Sequence, residues 1–385
     1  MKKVLHISKY MYPFLGGTEQ VVRDSMNALS ELDFEQKVIC FNEDANENGY
    51  ICHRRETIND KVDGIEIIRC GSEMKIASQA LSLSYPHKLR EVMDDYCPDI
   101  VIFHYPNPYV AQLLLKYCKL DFKLIVYWHL DITRQKKLGK LFRKQSLKLL
   151  ERADIIVATS PNYIDGSNYL SQFKSKCIII PNCINSERLS PTCTSNVKLS
   201  ELNEKYSGQI LCFALGRHVE YKGYRYLIEA SKYLDERFKI CVGGHGPLTD
   251  ELRKIASDDK KVEFLGRISD EDAIAYYQAC NIFCFPSISK NEAFGIALAE
   301  GMYFSKPTVT FEIPGSGVNY VSLNGITGIE APNCDSKAYA EALIKLADNA
   351  ELCRKYGENG KQRVLDNFMD EQFKINIQKM IMSLK

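Results

Sequence analysis

Charge of one sign is not in excess anywhere in the overall balance: 50 Lys and Arg stand against 49 Asp and Glu, a formal net charge of +1 over 385 residues. This argues against a nucleic-acid binder that works through bulk positive charge, although charge can still be concentrated locally. Long apolar runs are missing too. None approaches the roughly 18 residues of a membrane-spanning helix, and the N-terminal run Val4-Leu5-His6-Ile7 stops at Ser8-Lys9, so neither a spanning segment nor a secretion signal is expected. The fourteen cysteines include no Cys-x-x-Cys pair. Spread over a long chain, and seated in apolar runs as Cys40, Cys212 and Cys241 are, they read as small buried hydrophobes of a reducing cytoplasm rather than as a disulfide scaffold. The Gly-x-Gly-x-x-Gly fingerprint is absent as well, which disfavours a nicotinamide-dependent dehydrogenase.

What is present is an alternation of short apolar strands with helical segments. Strands are expected at 4–8, 37–41, 65–69, 100–104, 124–129 and 155–159, with helices from Thr18 and over 109–120; a second series of strands follows at 210–215, 238–242, 262–265, 282–285 and 307–311. Such alternation gives parallel sheets with helices on both faces, and ligands then bind beyond the carboxyl ends of the strands. The chain is long for one core, so two doubly wound domains are expected, at 1–184 and 208–368, with 185–207 as a linker holding a short helix and 369–385 as a final helix.

One stretch organises the rest. Phe285-Pro286-Ser287 leaves an apolar strand, passes through Ser289-Lys290-Asn291-Glu292, and re-emerges as a helix whose first turn is expected to hold Phe294-Gly295-Ile296, with Glu300 further in. Gly295 lets the backbone approach a ligand, and the free amides of a helix start are ready donors to hydroxyl or phosphate oxygens. Glu292 and Glu300 are too far apart along such a helix to share one proton or metal, so they grip different parts of one long ligand.

A second signal is Gly216-Arg217, with Lys222-Gly223 just after the first strand of the second half. At an effective dielectric near 20 a close cation contributes up to roughly 4 kcal/mol to diphosphate binding before desolvation, against about 0.3 to 2 kcal/mol from a helix end. Gly16-Gly17 at the first strand-to-helix turn also frees backbone amides. His104 and His129 stand at strand ends, the latter beside the single tryptophan, Trp128. From Arg134 to Arg152 eight Lys or Arg residues accompany one Glu, with Leu138, Leu141, Phe142 and Leu149 at helical spacing; this suits either a solvated helix packed on the sheet or one lying on an anionic membrane.

The Glu292-x7-Glu300 pattern with Phe294-Gly295-Ile296 inside it resembles the signature of the retaining glycosyltransferases of family 4, which have the GT-B fold. Gly216-Arg217 with Lys222-Gly223, and Gly244-His245-Gly246-Pro247-Leu248, match the same family, as does Trp128-His129-Leu130-Asp131 with Arg134-Gln135-Lys136, where Leu130 replaces the usual Ser. Phe103-His104-Tyr105-Pro106-Asn107-Pro108 resembles the family's bacterial mannosyltransferase-like members.

The resemblance implies two Rossmann-like domains facing each other across a cleft, with the last helix crossing back to the first domain. It implies that Glu292 and the Phe294, Gly295 and Ile296 backbone hold the sugar, that Glu300 binds the ribose, and that Arg217 and Lys222 meet the diphosphate. It further places Gly16, Gly17, Gly244 and Gly246 on the donor, His129 on the reacting sugar or the acceptor, and His104 and Asn107 on the acceptor side; Arg267, ending a strand, is expected on the donor near the nucleobase, and Asp131 either to orient His129 or to touch the acceptor.

The expected activity is transfer of a hexose, first mannose from GDP-mannose, to a saccharide or lipid-linked saccharide at the inner face of the membrane, as in O-antigen or capsule assembly. No cofactor or metal is expected: Asp270-Glu271-Asp272 fits Asp-x-Asp literally, but follows Ser269 at a helix start and reads as capping. UDP-hexose donors and a sugar-nucleotide epimerase of the same fold stay open, with a two-lobed solute-binding protein as a rival of another class.

Overall fold

The structure is a computed structural model that describes every residue except 14, 15, 45–48, 77, 78, 118–120, 133–135, 258 and 385, and the side chains of 136–141. The chain divides into two compact units, Met1–Ile180 together with Phe373–Lys385, and Pro181–Gln372.

The first unit contributes β1 (Lys2–Ile7), β2 (Phe34–Phe41), β3 (Ile58–Val62), β4 (Ile65–Cys70), β5 (Met74–Ile76), β6 (Gln79–Leu81), β7 (Ile100–Tyr105), β8 (Lys123–Trp128), β9 (Ile155–Ala158) and β10 (Cys177–Ile179). Among the described residues, eight of these form one sheet in the order β10-β9-β8-β7-β1-β2-β4-β3, while β5 and β6 make a separate hairpin. All neighbours in the large sheet are parallel except β3, which runs antiparallel on β4 at the edge. A parallel strand covered on both faces reads as an unbroken apolar run, which is why β7, wholly buried, was legible. The order reverses between β1 and β7, and such a switch point opens a crevice at the carboxyl ends.

The second unit holds β11 (Ile210–Leu215), β12 (Phe238–Gly243), β13 (Val262–Gly266), β14 (Ile282–Phe285), β15 (Thr308–Phe311) and β16 (Gly328–Ala331). Their order, β13-β12-β11-β14-β15-β16 with every pair parallel, is that of a dinucleotide-binding sheet, with its switch point between β11 and β14.

The short helix expected within 185–207 is Cys193–Lys205, closed at its start by a Thr192–Ser195 capping box, and Leu202 and Tyr206 lie in the core of the second unit. Two other expectations change in detail. The helix after Glu292 starts at Ile296 rather than Phe294, because Gly295 sits at φ +96°, outside helical space, and so forms its cap. The helix expected over 109–120 is the shorter Pro108–Leu114 with a 3-10 turn at Leu115–Tyr117; residues 118–120 lie outside the described residues.

The final helix, Asp370–Ser383, belongs to the first unit from Phe373 onward. There Gln378 Nε2 donates to Ala28 O at 2.9 Å and Lys374 pairs with Glu31 at 2.6 Å, while Phe373, Ile377, Met380 and Ile381 are buried. Of the expected basic helix 134–152, residues 134 and 135 and the side chains of 136–141 lie outside the described residues. The rest of Lys136–Arg152 buries Leu149 and Leu150 and exposes Arg143, Lys144 and Lys148. Among the described residues no helix is long and apolar enough to cross a membrane.

Candidate active site

In the second unit the loops leaving β11 and β14 touch. A Cβ on Gly223, which sits at φ +63°, would fall 2.0 Å from the carbonyl oxygen of Pro286, so only glycine allows this approach. The contact brings Lys222, at the end of the 3-10 turn Glu220–Lys222, onto Glu292 as an ion pair. Their side chains are only 14% and 12% exposed. Lys222 also lies 4.9 Å from the Phe285 ring centroid, and Ser287 Oγ donates to the Glu292 carboxylate at 3.2 Å. Burial works against the charged form of Lys222, but Glu292, with a smaller contribution from Tyr221, more than offsets it and holds the ammonium above its ordinary value. The backbone of Glu292 is fixed as well, its carbonyl accepting from Ser316 Oγ at 2.6 Å.

Beyond Glu292, Phe294 is buried edge-on against Phe368, with ring centroids 5.3 Å apart. Gly295 then caps the helix Ile296–Tyr303 without any side-chain cap bond, and the first amides of a helix lack intrahelical acceptors. Glu300 lies one turn inside that helix and is 6% exposed. Tyr277 donates to its Oε2 at 2.8 Å, and the Arg188 guanidinium pairs with its Oε1. Burial opposes the charge on Arg188, but Glu300, Asp270 and Tyr277 together outweigh it and hold the guanidinium above its ordinary value.

The turn after β12 packs back on the one after β11: a Cβ on Gly244 would meet Gly216 O at 2.0 Å, and one on Gly246 would meet His218 O at 2.4 Å. Arg217 and Arg267 are exposed directly after β11 and β13. Asp270-Glu271-Asp272 is the first turn of Asp270–Ala279, where Ser269 Oγ accepts from Asp272 N at 3.0 Å, the arrangement of a helix cap.

In the first unit Gly16 is the extended cap of the helix Gly17–Ser30, again with no side-chain cap bond. Glu19 follows in its first turn. Burial raises its carboxyl to about 7 against the pull of its own backbone amide and of Lys9.

Two strands from β1 in the sheet order, His129 directly follows β8 and meets His104 of β7, Nε2 to Nδ1, at 3.0 Å. The His129 ring also stacks on Tyr127, centroids 4.7 Å apart, and its amide donates to Tyr105 O at 3.1 Å. Burial pushes His129 down to about 3 and His104 well below its ordinary value, the latter with further repulsion from His129 and His6.

The residues expected on the acceptor side, His104, Asn107 and Asp131, are 1%, 0% and 2% exposed, and each is bonded to partners within the first unit. His104 is spent on His129. Asn107 Oδ1 accepts from Gln79 Nε2 at 3.1 Å. Asp131 Oδ1 accepts from Trp128 Nε1 at 2.9 Å and from Ser167 Oγ at 2.8 Å, while its amide donates to Tyr163 Oη at 2.6 Å. Leu130, where the pattern has Ser, has no hydroxyl; Asp131 receives one from Ser167, 36 residues beyond it. Sequence reading missed Arg188, Tyr277, Ser287, Ser316 and Glu19, and only Glu19, just after the glycine pair, carried a local signal.

Comparison with known proteins agrees with this architecture. The family model described as glycosyl transferases group 1 matches residues 198–363, and that described as Glycosyltransferase Family 4 matches 15–188. Among solved structures, a sucrose-phosphate synthase from Thermosynechococcus elongatus superposes with a TM-score of 0.80 at 18% identity, covering 100% of this chain and 99% of its own. An Anabaena protein crystallised with UDP and glucose gives 0.78 at 15%, covering 100% of both. These likenesses, with the two Rossmann-like units, define the class: a glycosyltransferase of the GT-B fold.

An O-antigen chain mannosyltransferase of Escherichia coli is 31% identical over 369 residues, 95% of this chain and 94% of that protein. A D-rhamnosyltransferase of Pseudomonas aeruginosa is 30% identical over 94% and 91%. The chain belongs to glycosyltransferase family 4.

Proposed function

We propose that this enzyme transfers mannose from GDP-mannose, with retention of configuration and without a metal, onto a lipid-linked saccharide in the assembly of a bacterial surface polysaccharide. The observation that carries the reading is the near full-length similarity to an O-antigen chain mannosyltransferase. Transfer of a 6-deoxyhexose is the second reading, since the D-rhamnosyltransferase is similar to almost the same degree.

In the proposed mechanism the acceptor hydroxyl attacks on the face from which the diphosphate departs, and an oxygen of that diphosphate takes the acceptor proton. The work left to the protein is positioning and electrostatic stabilisation. Glu292 holds the sugar hydroxyls and Glu300, oriented by Tyr277 and Arg188, the ribose hydroxyls. Arg217 and Lys222 meet the charge that develops on the leaving diphosphate. Lys222 enters this role already desolvated, and a cation in a dry site acts more strongly than one in water. The Gly295 cap and the amides behind it receive sugar or phosphate oxygens, with the Gly244 and Gly246 turn and Arg267 shaping the nucleotide side. His129 hydrogen-bonds a hydroxyl of the reacting sugar. The helix Lys136–Arg152 rests on the anionic inner face of the membrane.

Calorimetric titration with GDP-mannose, GDP-rhamnose and UDP-hexoses, with and without chelator, tests the donor. Saturable, chelator-insensitive binding of GDP-mannose, lost in Glu300→Ala and weakened in Lys222→Ala, is expected. Tight binding of a UDP-sugar alone would replace the nucleotide, magnesium dependence would remove the metal-free mechanism, and turnover of a donor without acceptor would point to an epimerase. Sedimentation with anionic vesicles tests the membrane contact.

A further inference from the structure

His104 has no part in the function set out above, yet it makes one of the few side-chain bonds that reach His129. Its Nδ1 lies 3.0 Å from His129 Nε2, and the two rings are nearly parallel, centroids 5.3 Å apart and 11° between planes. Both side chains are neutral at pH 7, since burial disfavours their protonation. Two neutral imidazoles share a single hydrogen, so one ring donates and the other accepts.

The choice falls on what remains at the other side of His104. Its Nε2 is buried and has no partner among the described residues. If His129 donated, this nitrogen would carry an N–H with nothing to receive it; if His104 donates, only a bare lone pair is left. A buried N–H without an acceptor is the rarer and costlier state.

The neighbouring histidine shows the same preference. Gln36 gives its amide hydrogens to Met26 O at 3.0 Å and Ser30 Oγ at 3.3 Å, so its Oε1 accepts from His6 Nε2 at 3.0 Å. His6 therefore carries its hydrogen on Nε2 and leaves the buried Nδ1 as an unpartnered lone pair.

We propose that His104 is a positioning residue: its Nδ1–H donates to His129 Nε2 and holds His129 in the tautomer with its hydrogen on Nδ1. The proposal rests on the reading of His129 as the residue that meets the reacting sugar. It deepens that reading by fixing the sense of the contact. His129 then presents a hydrogen-bond donor to a sugar oxygen and cannot serve as a base, which leaves the acceptor proton to the departing diphosphate.

Ring-nitrogen NMR on the full chain reads the tautomers directly, because only seven histidines contribute and His129→Gln identifies the signals of its ring. Hydrogen on Nδ1 of both His104 and His129, with both Nε2 bare, is expected; hydrogen on His129 Nε2 would overturn the proposal. Kinetics give the second arm. His104→Phe keeps a flat ring without a donor and is expected to lower kcat by roughly 10- to 100-fold, by analogy with the loss when the hydrogen-bond partner of a metal-bound imidazole is removed, with donor Kd unchanged. His104→Asn restores an N–H near the Nδ1 position and should recover most of that loss. A folded His104→Phe variant with wild-type kcat refutes the positioning role. Full activity of His129→Gln would instead remove the underlying reading of His129, whatever tautomers the spectrum shows.

Discussion

Replacing Lys222 by Met keeps most of the side-chain volume and removes the charge, which leaves Glu292 as a carboxylate with a side chain only 12% exposed. At an effective dielectric near 20 the lost attraction is up to roughly 4 kcal/mol, and one-sided loss of a buried pair costs about 3–5 kcal/mol. The Ser287 hydroxyl remains as in the wild type, and at 3.2 Å its bond to the carboxylate lies at the weak end of the roughly 1.5–3 kcal/mol of hydrogen bonds to charged groups, too little to replace the cation. The single variant should therefore lose about 3 kcal/mol. Removing both charges in Lys222→Met with Glu292→Leu takes away the stranded carboxylate, so the double variant should be at least 2 kcal/mol better than the sum of the singles, roughly the coupling expected of residues in contact. Urea unfolding of the full chain by circular dichroism, on wild type, both singles and the double, measures this. The pH dependence supplies an independent check. Because the folded-state pKa of Lys222 is raised, its contribution is fully present below the ordinary 10.5 and is lost as pH rises through the folded value. The gap between wild type and Lys222→Met should thus be constant near neutrality and narrow above about pH 10.5. Additive free energies in the cycle, or a gap that does not narrow, would refute the argument that this is a coupled, desolvated pair.

Acid should destabilise the chain in a definite window. Burial holds His6 near 4 and His129 near 3 when folded, so the stability they confer is present above the ordinary 6.5 and lost as pH falls toward those values; urea midpoints between pH 7 and 4.5 should drop, and less steeply in His129→Gln. Gly301→Ala would set a Cβ 2.6 Å from Phe283 Cγ and should cost about 1–3 kcal/mol by overpacking, partly regained with Phe283→Leu in a thermal melt. Ser305 sits at φ +58°, a conformation that costs a non-glycine residue about 1–2 kcal/mol, so Ser305→Gly should raise the melting temperature slightly despite its freer unfolded chain.

Most of the strands that sequence revealed are buried on both sides, since a continuous apolar run needs no partner to be noticed, although β13, at the edge of its sheet and half-buried throughout, was legible too. β3, with its alternately exposed Ile58-Asn59-Asp60-Lys61-Val62, and the short half-exposed β16 carry no such run. The bounds of the short helix expected within 185–207 were blurred by its Thr, Ser and Asn content and by its few buried side chains, Ser195 and Leu202. The site divides the same way. Glu292, Glu300, Lys222 and Gly295 announce themselves through local spacing. Arg188 is 112 residues from Glu300, and His104 is 25 from His129, so only the pairing of elements in space could reveal those contacts. Burial of Asn107 and Asp131 was equally out of reach: polar residues in loops look exposed until Gln79 is seen to bond Asn107 Oδ1, and Trp128 and Ser167 to bond Asp131 Oδ1.

The last helix has a topological effect. Since Phe373–Lys385 folds with Met1–Ile180, the second unit is covalently an insertion within the first, joined to it at two junctions, after Ile180 and before Phe373. A single proteolytic nick at either junction leaves the units tethered by the other, and removal of Phe373–Lys385 takes buried side chains from a core that the N-terminal segment alone does not complete. Fragments meant to isolate the first unit must therefore carry both ends of the chain, joined around an excised middle, whereas the second can be cut out as one continuous piece.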